Sequence, residues 1–134
     1  MDGTTTTYFG VHYMLDGYGA DLERLQDKTA LTHILETLPQ KIGMHSISDP
    51  VVVEVGEKNK KDPGGISGFV MIAESHISFH TFPNRAFVTI DVYTCNDTLD
   101  TEALTREFSD YFMPTDIETQ LIKRATNYPV ENIQ

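Results

Sequence analysis

Residues 67–94 constrain the fold more than any other stretch. SGFVMIA (67–73), a run at 76–81 and AFVTIDVYT (86–94) each read as a strand. They are separated only by the breaks at Glu74-Ser75 and Phe82-Pro83-Asn84-Arg85. Alternation with a period of two puts one side of a strand in a core. Breaks this short allow only hairpin connections. Three consecutive strands therefore pair as hairpins in a sheet, and its apolar face must be covered by something else.

The rest of the chain supplies the cover. Residues 1–7 read as a polar end, and 8–15, YFGVHYML, as a strand closed by Asp16-Gly17-Tyr18-Gly19. Asp27 is placed to cap a helix whose apolar stripe is Leu31, Ile34, Leu35, Leu38 and Ile42. Pro39 weakens its last turn and Gly43 ends it. VVVEV (51–55) is a further strand. Gly56 to Gly65 is a polar loop carrying Lys58, Lys60 and Lys61. Asp100 caps a second helix, with Leu99 and Leu104 spaced as a hydrophobic staple. Leu104, Phe108, Tyr111 and Phe112 give that helix its buried face, and Pro114 stops it. Residues 116–123 are the last strand. The expected fold is α+β: a two-layer sandwich of a mainly antiparallel sheet with two helices on one face, in a single domain spanning 1–134.

Composition excludes several classes of function. A net charge of −10 argues against nucleic acid as a partner. No apolar run approaches the length of a membrane span, and the first residues lack the pattern of a secretion signal. A single cysteine rules out an internal disulfide and suits a reducing, cytoplasmic setting. His76 and His80 share one side of a strand as a metal pair would, but no third ligand stands at useful spacing, so no metal is expected.

The residues that carry chemistry are Ser67, Glu74-Ser75-His76, His80 and Cys95. Their joint spacing resembles the prokaryotic S-adenosylmethionine decarboxylase family, a group of self-cleaving enzymes. Gly10, His12 and Asp16 add a similar opening pattern. The resemblance implies that Ser75 attacks the Glu74 carbonyl and, after elimination and hydrolysis, becomes a covalent pyruvoyl group. The products would be a β chain of 1–74 and an α chain of 75–134. Pyruvoyl is an electron sink that ordinary side chains cannot provide, and decarboxylation through a Schiff base needs one. The resemblance makes His80 the processing base, since an imidazole can take a proton at neutral pH. It makes Ser67 a processing hydrogen-bond partner and Cys95 the proton donor to the substrate. A cysteine thiol with an ordinary pKa of about 8.5 holds its proton at pH 7.

Two positions depart from the family pattern. The aromatic expected six residues before the processing serine is Lys61, and the Glu expected four residues after the processing histidine is Asn84. Both belong to substrate binding, where adenine needs a plane to stack on and ribose needs an acceptor. Tyr8, Phe9, Tyr13 and Phe82 are rings available as substitutes. These departures point to a small cationic amino acid, L-arginine or L-ornithine, as substrate. Lys61, Phe82, Asn84 and Asp16 would then border the pocket, and Asp16, Glu57 or Asp62 would meet the distal amine. The alternatives are S-adenosylmethionine itself, which would supply aminopropyl groups for spermidine, and a catalytically silent regulatory homologue.

Strand arithmetic adds a consequence. Pairing the first two strands around Glu74-Ser75 places Ser67 opposite about Thr81. Pairing 81 with 86 places Val92 opposite Ser75, near Cys95. At about 3.3 Å per residue, Ser75 and the Ser67–His80 pair are roughly 20 Å apart in one chain. The expected resolution is a twofold homodimer of four layers, with active sites shared between chains.

Overall fold

The computed structural model describes residues 8–134, so the polar end expected at 1–7 lies outside the described residues. In chain order the elements are β1 (Gly10–Tyr18), α1 (Leu22–Gln26), α2 (Lys28–Lys41), β2 (Val51–Val55), β3 (Gly65–Ile72) and β4 (Ser75–Phe82). A 3-10 turn (Pro83–Arg85), β5 (Phe87–Thr94), α3 (Thr101–Phe112) and β6 (Asp116–Arg124) follow. The strands form one sheet in the order β2-β3-β4-β5-β1-β6, and all pairings are antiparallel. This is the α+β architecture expected from the alternation of the chain.

The helices pack on one face of the sheet. Val11, Tyr13 and Leu15 of β1, Val70 and Ile72 of β3, Ile77 and Phe79 of β4, and Val88, Ile90 and Val92 of β5 are buried. All but Val11 join one core cluster with Leu25, Leu31, Leu35, Leu38, Leu104, Phe108 and Phe112 of the helices. Full burial of a side chain of this size contributes about 1.5–3 kcal/mol. Both expected caps are present: Asp27 accepts from the Ala30 N–H at 3.0 Å and Asp100 from the Ala103 N–H at 3.0 Å. Gly43, at φ 75°, turns the chain out of α2 in the left-handed conformation. The short helix α1 was not anticipated. Asp21 caps it by accepting from the Arg24 N–H, and Leu25 is its only buried residue. Five residues carry too little periodicity to stand out beside the preceding turn.

The register differs from the expected one in two places. Ser67 stands opposite His80 rather than Thr81. Phe82 pairs with Phe87, so Ser75 stands opposite Thr94 rather than Val92. At β4–β5 the physical reason is the 3-10 turn. It takes up Pro83–Arg85 and leaves Ala86 as the left-handed residue (φ 51°) that reverses the chain, so pairing begins at Phe82–Phe87. This two-residue difference conserves which residues share a face and moves Cys95 to a position beside Ser75. At β3–β4 the two-residue loop Ala73-Glu74 pairs Ile72 with Ser75, and the one-residue difference puts Ser67 on the face of His80 rather than on that of the buried Thr81.

The other face of the sheet carries no helix among the described residues. It holds His12, His76, Ser78, His80, Thr89, Asp91 and Tyr93, together with Val51, Phe69 and Met71, the last two 39% and 44% exposed. None of the helices is long and apolar enough to cross a membrane.

Candidate active site

The loop between β3 and β4 is two residues long, Ala73 and Glu74, and Ile72 pairs with Ser75 across it. Ser75 has φ 154°, a conformation that side-chain-bearing residues rarely adopt. The carbonyl of Glu74, the residue before it, accepts a hydrogen bond from the Cys95 N–H at 3.0 Å. Cys95 follows directly on Thr94, the register partner of Ser75, and is a half-buried free thiol. Thr94 is fully buried, so the peptide that carries this N–H is held from below. Gly10 packs against the other side of the same peptide, where an added Cβ would lie 2.4 Å from the Thr94 oxygen.

The second group lies further along β4. Ser67 Oγ and His80 Nδ1 are hydrogen bonded at 2.7 Å across the β3–β4 pair. When Nδ1–H is the donor, Nε2 keeps its lone pair and can accept a proton. His80 and Ser67 border a hollow of about 270 Å³ with Val51, Val53, Phe69 and Ser78 on the uncovered face. Five residues separate Ser75 from His80 along one strand, about 17 Å at strand spacing. The structure therefore brings Glu74, Ser75 and Cys95 together, and Ser67 and His80 together, but keeps the two groups apart within one chain.

A larger cavity of about 600 Å³ opens next to His80, whose register partner Thr89 forms part of its wall. Tyr18, Phe82 and Phe87 line it, with ring centroids 5.3 Å apart for Tyr18–Phe87 and 5.7 Å for Phe82–Phe87. The loop 57–64 forms the rest through Lys58, Asn59, Lys61, Asp62 and Pro63, with Arg85 opposite. That loop has its own framework. Asn59 Oδ1 accepts from the Lys61 and Asp62 N–H groups, and Asp62 accepts from the Gly64 N–H. Arg85 donates to the Lys60 carbonyl. At Gly64 (φ 84°) a Cβ would meet the Val55 carbonyl at 2.5 Å, so only glycine brings the loop back onto β2.

Of the four expected substrate-binding residues, Lys61 and Phe82 line this cavity. Asn84 is exposed on the 3-10 turn and does not form its wall, and Asp16 stands opposite Thr89 of the wall without lining the cavity itself. Asp16 sits near Glu118 and Asp91, and burial followed by those two charges pushes its carboxyl up. Tyr18, Phe87 and Arg85 were missed. Tyr18 and Phe87 are register partners on β1 and β5, a proximity that only the sheet creates. Tyr18 donates to Glu118, which pushes the phenol up to about 12. His76 lies between Phe69 and Tyr93, with centroids 5.5 and 5.7 Å away, and no cluster of metal-binding side chains occurs among the described residues.

Residues 11–125 match the family profile of S-adenosylmethionine decarboxylase. The chain belongs to that family. Its members are made as proenzymes and are pyruvoyl-dependent carboxy-lyases, with the pyruvoyl group produced from a serine by self-cleavage. An S-adenosylmethionine decarboxylase proenzyme of Picrophilus torridus is 32% identical over 117 residues, covering 87% of this chain and 85% of the relative. One of Thermoplasma acidophilum is 34% identical over 116 residues, covering 87% and 83%. The crystal structure of the adenosylmethionine decarboxylase from Aquifex aeolicus superposes with a TM-score of 0.74 at 28% identity, covering 95% of this chain and 98% of the other.

The family assignment leaves the expected preference for L-arginine or L-ornithine without support, because the relatives bear the S-adenosylmethionine decarboxylase name. The cavity wall carries the cationic side chains Lys58, Lys61 and Arg85 and one carboxylate, Asp62, which accepts from the Gly64 N–H.

Proposed function

We propose that this protein cleaves itself between Glu74 and Ser75, yielding chains 1–74 and 75–134, and then decarboxylates S-adenosylmethionine. The observation that carries the cleavage reading is the hydrogen bond from the Cys95 N–H to the Glu74 carbonyl, next to a strained Ser75. Attack by the Ser75 hydroxyl turns that carbonyl oxygen into an oxyanion, and a preplaced N–H stabilises the charge as it develops. Relief of the φ 154° conformation on cleavage favours the same direction. The residues present thus fit a pyruvoyl group in place of Ser75.

In the mature enzyme the pyruvoyl carbonyl serves as the electron sink for loss of carbon dioxide. This chain's residues do the rest. The Cys95 thiol, one residue beyond the register partner of Ser75, donates the proton that replaces the carboxylate. Tyr18, Phe82 and Phe87 offer an adenine the stacking surface that Lys61 does not. The Ser67–His80 pair takes and returns protons during maturation.

The separation along β4 supports shared sites. Two chains packed by their uncovered sheet faces, in four layers about a twofold axis, would bring the Ser75–Cys95 group of one to the His80 end of the other. The half-exposed Phe69 and Met71 are apolar surface that such packing would cover.

Two measurements test this reading. Carbon dioxide release is followed in parallel from S-adenosylmethionine, L-arginine and L-ornithine, with S-adenosylmethionine alone expected to be turned over. Turnover of either dibasic amino acid instead would overturn the substrate assignment. Separately, Ser75→Ala and His80→Ala chains are co-folded and run on a denaturing gel. Shared sites predict cleavage of the His80→Ala chain in the mixture. If it stays intact beside its partner, the dimer arrangement is wrong.

A further inference from the structure

His45 takes no part in the chemistry above, yet it is the residue most closely engaged with Glu74. Its backbone N–H donates to Glu74 Oε1 at 3.2 Å, and its Nδ1 is hydrogen bonded to Glu74 Oε2 at 3.0 Å. Its carbonyl accepts from the Ala73 N–H at 2.7 Å. The segment that follows continues the attachment. Ser46 bridges to Ile72, the Ile47 N–H donates to the Met71 carbonyl, and the Met71 N–H donates to Ser48 Oγ. It occupies the edge of β3 beyond the point where β2 pairing stops, at Phe69. Both residues of the two-residue loop before Ser75 are therefore tied to one residue of the α2–β2 connection.

We propose that His45 is a positioning residue for self-cleavage, holding the Glu74 side chain so that the Glu74 carbonyl stays on the Cys95 N–H. The inference rests on the proposed cleavage between Glu74 and Ser75. Two anchors act on Glu74 from different directions: Cys95 holds its carbonyl and His45 holds its carboxylate and the preceding peptide. With both in place the Glu74 carbonyl has little freedom to rotate away from Ser75. With His45 removed, a two-residue loop next to a strained residue can relax by turning that carbonyl. The pair is poorly suited to a purely stabilising role, because the His45 side chain is 77% exposed while that of Glu74 is 14% exposed. Exposed ion pairs add little to global stability. The hydrogen bond also holds the Glu74 carboxyl below its ordinary range, as expected if it is engaged as a carboxylate. Both partners lie in the 1–74 chain, so the tie outlasts cleavage and keeps the new C-terminus at the end of β3.

The test is a cleavage time course on the full chain made by cell-free synthesis, with uncut and cut forms separated on a denaturing gel. His45→Ala is expected to slow cleavage about threefold to tenfold, a loss typical of one ordinary intramolecular hydrogen bond. His45→Asn, whose amide nitrogen can stand where Nδ1 does, is expected to restore most of the rate. Glu74→Ala combined with His45→Ala is expected to be no slower than Glu74→Ala alone, whereas two independent structural defects would multiply. Cleavage of His45→Ala at the wild-type rate, or no rescue by Asn, overturns the proposal. If the wild-type chain itself is not cut before Ser75, the cleavage reading fails instead, and mass measurement of the fragments separates the two failures.

Discussion

Gly10→Ala tests the geometry of self-cleavage without touching any residue assigned a chemical role. Gly10 is buried on β1, has no positive φ, and tolerates alanine as far as its own backbone is concerned. An added Cβ would lie 2.4 Å from the Thr94 oxygen and 3.1 Å from Cys95 Cα. Both neighbours are backbone, so no side chain can swing aside. The Thr94 oxygen has to retreat by about 1 Å to reach ordinary contact. That oxygen belongs to the same rigid peptide as the Cys95 N–H, which points the opposite way at the Glu74 carbonyl. Movement of one end is movement of the other. Overpacking of this kind costs about 1–3 kcal/mol of stability. A displaced oxyanion donor costs a further factor of about 10²–10³ in rate when lost outright, so partial displacement should slow cleavage about 10- to 100-fold. The assay is the same gel time course, with thermal unfolding of uncut Ser75→Ala and Gly10→Ala/Ser75→Ala chains as the measure of stability. Lowered stability with an unchanged cleavage rate would refute the reasoning, because it would mean that the Thr94–Cys95 peptide can move without consequence for Glu74.

Other outcomes are expected. Phe87→Ala, which removes the central ring of the Tyr18–Phe87–Phe82 wall, should raise KM for S-adenosylmethionine about tenfold or more with little change in kcat; an unchanged KM would exclude the stacking role. Thr81 is buried, donates to the Leu25 carbonyl at 2.9 Å and accepts from the Ile66 N–H at 3.1 Å. Thr81→Val keeps the shape and leaves both groups unpaired, and should cost about 1–3 kcal/mol in denaturant unfolding. His76 is held below its ordinary pKa, first by burial and then by His12 and Arg124, with Asp91 opposing. Its neutral form is favoured in the fold, so the unfolded chain binds the extra proton. Stability should therefore decline as pH falls from about 6.5 toward the lowered value, and His76→Gln should flatten that part of the unfolding profile.

The site was partly legible in the sequence because its members lie close along the chain. Glu74-Ser75, His80, Ser67 and Cys95 fall within three consecutive strands, and hairpin pairing forces Ser67 toward His80 and Ser75 toward Cys95. The expected separation of the two groups followed from strand rise alone. The register was off by one residue at β3–β4, and Val92 was placed opposite Ser75 where Thr94 stands. A 3-10 turn and a four-residue turn look alike in Phe-Pro-Asn-Arg and differ only in where pairing resumes. The substrate side was harder. Lys61 and Asn84 were read one position at a time, whereas the rings of the cavity wall come together from β1, the 3-10 turn's entry and β5.

Sequence alone determined that this chain forms an antiparallel sheet under capped helices and that Ser75 lies at a break between two strands. Those conclusions depend on alternation, capping and spacing, which act over a few residues. Tertiary structure decided which peptide faces the Glu74 carbonyl, that His45 reaches back to its carboxylate, and that Tyr18 and Phe87 meet at a cavity. These contacts join positions far apart in the chain. They depend on strand order and register, which the packing of the whole core fixes and no local pattern encodes. The break at Glu74-Ser75 is visible in the sequence; the N–H bonded to the Glu74 carbonyl comes from Cys95, just past the end of β5.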